Sequence, residues 1–311
     1  LDEPMADASI IPTYLVSKFA RTDVTVALSG DGGDEIFGGY HRHVQMNRLM
    51  MTLSVVPQPL RRLAQPLLWK LAPLIARRDP QALGRVQKLA TLFDQHNLHD
   101  LYLFLVGGAE VNVFTTQSPD QGGRIPFDQS TSWPTRLSVS EWAMFGDTIH
   151  YLPNDILTKV DRASMAVSLE ARAPLLDMRV FAHAWSLPLH DRIHRGVGKR
   201  ILRDVLYRHV PRDLVDREKQ GFGVPIGAWM RGPLRDWAHT LVVDPEFSAR
   251  FGFALTDLQT VWQDFETGRK RAGETVWRLA VLSSWSRAWL QSGTLNSALQ
   301  EPVAPPVSKA G

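Results

Sequence analysis

Three carboxylates and three glycines share seven positions in Ser29-Gly30-Asp31-Gly32-Gly33-Asp34-Glu35. Glycines at Gly30, Gly32 and Gly33 suit a tight turn with positive φ, and they let backbone N–H groups approach a ligand without side chains in the way. A turn of that kind suits a phosphate, yet Asp31, Asp34 and Glu35 would repel a bare one. Mg²⁺ resolves the conflict, because it takes one or two carboxylates together with phosphate oxygens. The segment therefore points to a magnesium-bound pyrophosphate or triphosphate. The same acids also fit a plainer role, capping a helix and facing its dipole.

The elements around this turn have to position it. Val24, Val26 and Leu28 alternate with smaller or polar residues and predict a short buried strand leading into the turn. A helix is expected from Asp34 to about Met50, its first N–H groups facing the spot that the glycines expose, with Gly38 and Gly39 marking close packing. Ile10, Ile11, Tyr14, Leu15 and Phe19 predict a helix over 6–20 that packs beside the strand. Residues 53–78 read as short helices cut by Pro57, Pro59, Pro66 and Pro73, with a basic face in solvent. Thr115 to Pro134 reads as a loop or subdomain boundary.

Further along, Asp155, Lys159 and Arg162 fall at i, i+4 and i+7 and are expected on one helical face. Glu170, Arg172 and Asp177 then follow in an apolar setting that favours paired charges. Arg172 either grips a substrate carboxylate or locks its acidic neighbours. Lys219 sits between Arg217 and the glycines Gly221 and Gly223, as in a loop that swings onto a phosphate and closes a site. Gly196-Val197-Gly198-Lys199 is not a Walker loop, since Arg192 and Arg200 stand where that motif needs Gly and Ser or Thr. Trp277, Trp285 and Trp289 predict a helix with an aromatic stripe on the core. His96, His99 and Asp100 have metal-ligand spacing without a further ligand and read as surface. The last twenty residues, 292–311, are expected to be a disordered tail.

Composition excludes several classes. There is no cysteine among the 311 residues, so disulfides, thiolate metal sites and a cysteine nucleophile are ruled out for this chain, and a reducing cytoplasm fits. A net charge of +3 with dispersed basic residues gives no nucleic-acid footprint. No apolar run approaches a membrane span, and the opening residues carry no basic signal-peptide region. The chain starts at Leu1 rather than methionine and reads as a piece of something longer.

The segment SGDGGDEIFGGY, from Ser29, resembles the second nucleotide motif of the glutamine-dependent asparagine synthetases, in their ATP-pyrophosphatase domain. YLPNDILTKVDRASMAVSLEARAPLLD from Tyr151, GKRILRDVL from Gly198 and REKQGFGVPIGAWMRGPLR from Arg217 resemble the same family in the same order. The resemblance implies an α/β fold of the adenine nucleotide alpha hydrolase type, with an incomplete parallel sheet and a mostly helical C-terminal region, over residues 1–291. It implies ATP and Mg²⁺ as cofactors, and it implies amidation of aspartate to asparagine through a β-aspartyl-adenylate. Carried over by position, Ser29 and Gly30, with Gly32 and Gly33, contact nucleotide, and Asp34 is a magnesium ligand. Asp31 is the acid needed for adenylate chemistry, Lys219 neutralises pyrophosphate, and Asp155 is a second functional acid. Arg172 and Glu170 are the substrate-binding candidates.

Two departures shape this expectation. The family's first nucleotide motif, SGGxDS, and its N-terminal cysteine glutaminase do not occur in these residues. The chain is expected to be the C-terminal part of a synthetase that alone neither hydrolyses glutamine nor completes adenylation efficiently. Its implied partners are aspartate, ATP, ammonia from glutamine, the glutaminase domain and a second copy in a homodimer. Alternatives are an amidotransferase of a polysaccharide or secondary-metabolite cluster acting on another acid, and a degenerate non-catalytic module. The β-lactam synthetases carry a tyrosine where Asp31 stands, so the acid favours intermolecular amidation.

Overall fold

A computed structural model describes residues 1–76, 86, 89–90, 92–93, 97–107, 136–216, 223–268 and 272–291. They form two compact units, one from residues 10–216 and one from residues 1–9 and 223–291. The expected loop at 115–134, Lys219, His96 and the tail at 292–311 lie outside the described residues.

In the first unit, α1 (Ile10–Ala20) precedes β1 (Val26–Leu28), and the glycine turn leads into α2 (Gly33–Phe37). The single helix expected from Asp34 to Met50 is instead two. Gly38 takes φ +71 and ends α2 after little more than one turn, and α3 (His41–Val55) starts afresh from an extended Tyr40. Close packing is the reason for the glycines as well: a Cβ on Gly38 would lie 2.4 Å from Ile193. Of the residues read as short helices, 53–76 are described, and they are not a series of short helices. Only Pro57 interrupts them, between α3 and the 19-residue α4 (Gln58–Ala76), and Pro59 falls in a first turn where its missing N–H loses no partner.

After α5 (Leu98–Gly107), α6 (Val139–Gly146) opens with a capping box, in which Ser138 accepts from the Glu141 N–H and Glu141 accepts from the Ser138 N–H. It runs on into a π-helical segment, Asp147–Leu157, and then α7 (Thr158–Met165). Pro153 lies inside the π segment. There the Thr158 hydroxyl donates to the Pro153 carbonyl at 2.8 Å and the Asn154 amide to the His150 carbonyl at 2.9 Å. Met46, Leu53, Leu101, Tyr102, Phe104 and Trp142 bring α3, α5 and α6 together in one apolar core.

β2 (Glu170–Arg172) runs parallel to β1, with Ala27 opposite Ala171. Among the described residues the sheet has these two strands only. The strand expected to be buried is therefore exposed on its outer face, Leu28 at 75 %. Phe19, Leu15 and Val16 of α1 are exposed in the same unit. Next come α8 (Met178–Ser186), α9 (Leu189–Arg192), α10 (Arg200–Leu206) and α11 (Arg212–Val215). A second core joins Ile36 and Phe37 to Phe181, Ala184 and Trp185 of α8 and Leu202 of α10.

The other unit is helical: α12 (Ile226–Arg231), α13 (Arg235–Val242), α14 (Pro245–Phe251), α15 (Leu255–Glu266) and α16 (Ala272–Ser286). Helices α12, α13 and α15 pack on α16, which buries Val276, Leu279, Ala280 and Ser283. The tryptophans do not form the core stripe expected of them. Trp277 and Trp285 are half-buried, and their indole N–H groups donate to the carbonyls of Ala6 (2.8 Å) and Asp2 (3.0 Å), a polar demand that keeps them at the edge.

Candidate active site

Parallel pairing extends one residue past β1, where the Ser29 N–H donates to the Arg172 carbonyl at 2.8 Å. The chain then turns. Gly32 adopts φ +86, and the Gly33 N–H closes back on the Gly30 carbonyl at 3.2 Å. A Cβ on Gly32 would lie 2.2 Å from Leu176, whereas Gly30 faces open space. That space is a cavity of about 440 Å³. Its walls are the turn itself from Ser29 to Gly32 with Asp34, Glu35 and Tyr40, the alanines Ala27 and Ala171 of the sheet, Thr13 and Ser17 of α1, and Lys159, Val160 and Ser164 of α7.

Each carboxylate of the turn has a partner of its own. The Ser29 hydroxyl donates to Asp31 at 2.8 Å, and Lys199 Nζ meets Asp34 Oδ2 at 3.0 Å. Glu35 is 1 % exposed and accepts from the Tyr40 hydroxyl at 2.7 Å. Burial pushes the Glu35 carboxyl above its ordinary range; the Tyr40 hydrogen bond works against this, while nearby Asp34 and Asp147 add to it. The Asp34–Lys199 pair depends on two glycines. A Cβ on Gly39 would stand 2.0 Å from Asp34 Oδ1, and one on Gly198 would stand 2.0 Å from the Gly38 carbonyl oxygen. Two chain segments cross there in backbone contact, and the Lys199 N–H, from a residue at φ +59, donates to the Phe37 carbonyl at 2.8 Å.

Behind the turn lies a buried polar cluster. Asp147, fully enclosed, accepts from Arg42 Nε at 2.7 Å and from the Tyr102 hydroxyl at 2.7 Å, and it pairs with His43 Nε2 at 2.6 Å. Burial alone would raise the Asp147 carboxyl, but the His43 hydrogen bond and the Arg42 charge outweigh it and hold the group below its usual value. His43 is pushed down by burial, only partly offset by Asp147. The Arg42 guanidinium lies 4.0 Å from the Tyr40 ring centre and 4.4 Å from that of Tyr151. Tyr40 thus links this cluster to Glu35 and the cavity.

The structure brings Ser29, Gly30, Asp31, Gly32 and Asp34 to the cavity wall, with Gly33 directly behind them. It does not bring Glu170 and Arg172 there. Strand alternation sends Ala171 to the cavity and its two neighbours to the opposite face, where Arg172 Nε pairs with Glu170 at 2.7 Å and both side chains are more than half exposed. Arg172 therefore locks Glu170. Asp177 instead accepts the Arg179 N–H at 2.8 Å at the start of α8, and its carboxyl is lowered to about 2 by the Arg179 side-chain and backbone hydrogen bonds. Asp155 is half-buried and lies outside the cavity lining. Asp155 belongs to the π segment, whereas Lys159 and Arg162 stand on α7. Arg162 pairs with Asp161 at 2.9 Å, whereas Lys159 turns inward and is 8 % exposed. Sequence reasoning missed Lys159 as a site residue. Its signal was the stripe Ile156, Lys159, Val160 and Ser164, four positions of helical spacing that all line the cavity.

Among the described residues no group of three or more His, Asp or Glu side chains is arranged to hold a metal ion. Asp31 and Asp34 on one turn, one of them already paired with Lys199, are too sparse a donor set for a bare ion. They fit a magnesium ion that arrives on polyphosphate oxygens.

The asparagine synthase family model matches residues 1–290. The chain belongs to the asparagine synthase family. Curated relatives agree: an asparagine synthetase (glutamine-hydrolysing), designated putative, of Mycobacterium bovis is 30 % identical over 98 % of this chain and 45 % of its own length. Asparagine synthetase 1 of Bacillus subtilis is 30 % identical over 80 % of the chain and 38 % of its own length. Another designated putative, from Methanocaldococcus jannaschii, is 60 % identical over 48 residues, 15 % of this chain and 9 % of its own length. The chain spans less than half the length of these family members. No solved structure matches it. The described residues form a helix-rich α/β chain with a small parallel sheet, consistent with an asparagine synthase domain, and no helix among them is long and apolar enough to cross a membrane.

Proposed function

We propose that this chain is the synthetase part, residues 1–291, of a glutamine-dependent asparagine synthetase, a cytoplasmic ATP-using ligase. The observation that carries the reading is the acidic glycine turn, Ser29 to Asp34, opening into one cavity of about 440 Å³. In the reaction, a side-chain carboxylate oxygen of aspartate attacks the α-phosphorus of ATP. The bond to the β-phosphate breaks and pyrophosphate leaves. Ammonia then attacks the acyl carbon, sheds a proton and expels AMP. Magnesium, when bound, supplies charge neutralisation on the leaving pyrophosphate.

The roles proposed for the chain's own residues follow that chemistry. The Ser29–Gly33 backbone receives the phosphates, and Asp34 holds the metal that comes with them. Asp31, on the cavity wall, serves the adenylate, and Lys219 neutralises pyrophosphate. The exposed outer face of β1 and the apolar side chains of α1 support an adenine nucleotide alpha hydrolase-like sheet that is incomplete in these residues. In the full protein a glutaminase domain supplies the ammonia. An acceptor other than aspartate is the second reading, favoured by the position of Arg172 and Glu170 away from the cavity.

ATP–pyrophosphate exchange on the full-length protein with L-aspartate and Mg²⁺ tests both. Aspartate-dependent exchange that is lost in Asp34→Ala and Lys219→Ala is the expected result. Exchange only with a different acid would transfer the reading to that acid. Absence of exchange with every acid would refute adenylation.

A further inference from the structure

Resting on the adenylating reading, the structure assigns Lys159 as the fixed cation of the cavity, the side chain that binds a phosphate oxygen of the nucleotide from the wall formed by α7. Among the described residues it is the one Lys, Arg or His side chain that lines the cavity, and it is 8 % exposed. Its direction is set by helix phase. Ile156, Val160 and Ser164, its neighbours at i−3, i+1 and i+5, line the same space, so the ammonium is held by a packed helix and not by a loop.

The charge of the cavity requires such a group. Asp31, Asp34 and Glu35 share the wall with the glycine turn, and a polyphosphate entering there adds several negative charges to theirs. Lys199 is tied to Asp34, and a metal arriving with the phosphates meets that same carboxylate. Lys159 supplies positive charge from the side of α7. Shielding from water strengthens its hold on an anionic ligand.

A carboxylate of the acceptor acid presents the same anionic oxygen, so the test separates the two sources. Calorimetric titration of the full-length protein with inorganic pyrophosphate, with Mg·ATP and with L-aspartate is compared between wild type and Lys159→Met, with melting curves recorded on both. Loss of a charge-assisted hydrogen bond is expected to weaken pyrophosphate and Mg·ATP binding about 10- to 100-fold, with aspartate affinity unchanged. Should Lys159→Met not fold, Lys159→Gln keeps a polar tip in the same space and the same comparison applies. Unchanged pyrophosphate affinity in a folded variant would overturn the assignment. Loss confined to aspartate would also overturn it, giving the ammonium to the acceptor carboxylate. A wild-type protein that binds neither pyrophosphate nor ATP would refute the adenylating reading itself, and this inference with it.

Discussion

Asp147→Asn tests the buried cluster behind the glycine turn most directly. In the native protein one enclosed carboxylate satisfies Arg42, His43 and Tyr102 at 2.6–2.7 Å. An asparagine side chain has a single acceptor oxygen. Facing Tyr102, it turns an NH₂ toward the Arg42 guanidinium; facing Arg42, it turns that NH₂ toward the Tyr102 hydroxyl. The first orientation sets a donor against a donor, in the second the Tyr102 hydroxyl turns to accept, and Arg42 loses its counter-ion in either case. Breaking a buried pair in this way costs about 3–5 kcal/mol, a large part of the roughly 5–15 kcal/mol that holds a protein folded.

The assay is urea unfolding of wild type, Asp147→Asn, Arg42→Met and the double variant. With Arg42 already removed, the asparagine should cost less, by at least about 1 kcal/mol, because the two changes break one interaction. The pH dependence has a fixed sign. Because the folded Asp147 carboxyl lies below its ordinary value, its stabilisation is complete above about pH 4 and is lost as pH falls through the folded value. His43, also lowered, stays neutral in the fold, so stability starts to fall below about pH 6.5 as the unfolded chain takes up that proton. Asp147→Asn keeps the second loss and lacks the first. A cost under about 1 kcal/mol, or strict additivity with Arg42→Met, would refute the reasoning.

Gly198→Ala places a methyl group 2.0 Å from the Gly38 carbonyl, where backbone must move. It should lower the melting temperature sharply, and a variant melting like wild type would show that the crossing is loose. Arg172→Gln removes an exposed pair and should leave both the melting temperature and exchange activity essentially unchanged; a large loss of activity would return this arginine to the substrate. Glu141→Gln should destabilise by about 3 kcal/mol, since its carboxylate pairs with the enclosed Arg192 as well as capping α6, and urea unfolding reads the difference.

Much of the site was legible in the sequence because one short segment holds it. Ser29 to Asp34 carries the turn chemistry and the cavity wall together, and of the three glycines that suit a positive-φ turn Gly32 takes that conformation. What escaped was long-range or out of phase. Asp147 meets Arg42 and His43 across more than a hundred residues, and no local pattern marks the pairing. Glu170 and Arg172 were read as charges in an apolar setting, but a three-residue strand alternates, and Ala171 takes the inward place between them. Lys159 sits in a charged stripe, and a stripe of that kind usually faces solvent, so its turn toward the cavity carries no local signal of charge pairing.

The π segment sets the phase of the helix that carries Lys159. A coil of i→i+5 bonds advances less rotation per residue than an α-helix, so Asp147–Leu157 acts as a phase adjuster between two straight pieces. At its start stands Asp147, locked in the core; just past its end stands Lys159, aimed at the cavity. Deleting one residue from this coil would leave a helix that still forms, yet everything after it would turn by somewhat less than the roughly 100° of one α-helical residue. The ammonium would sweep out of the cavity while the chain remained folded. The length of this segment in a related chain is therefore a compact marker of whether its cavity holds the same charge.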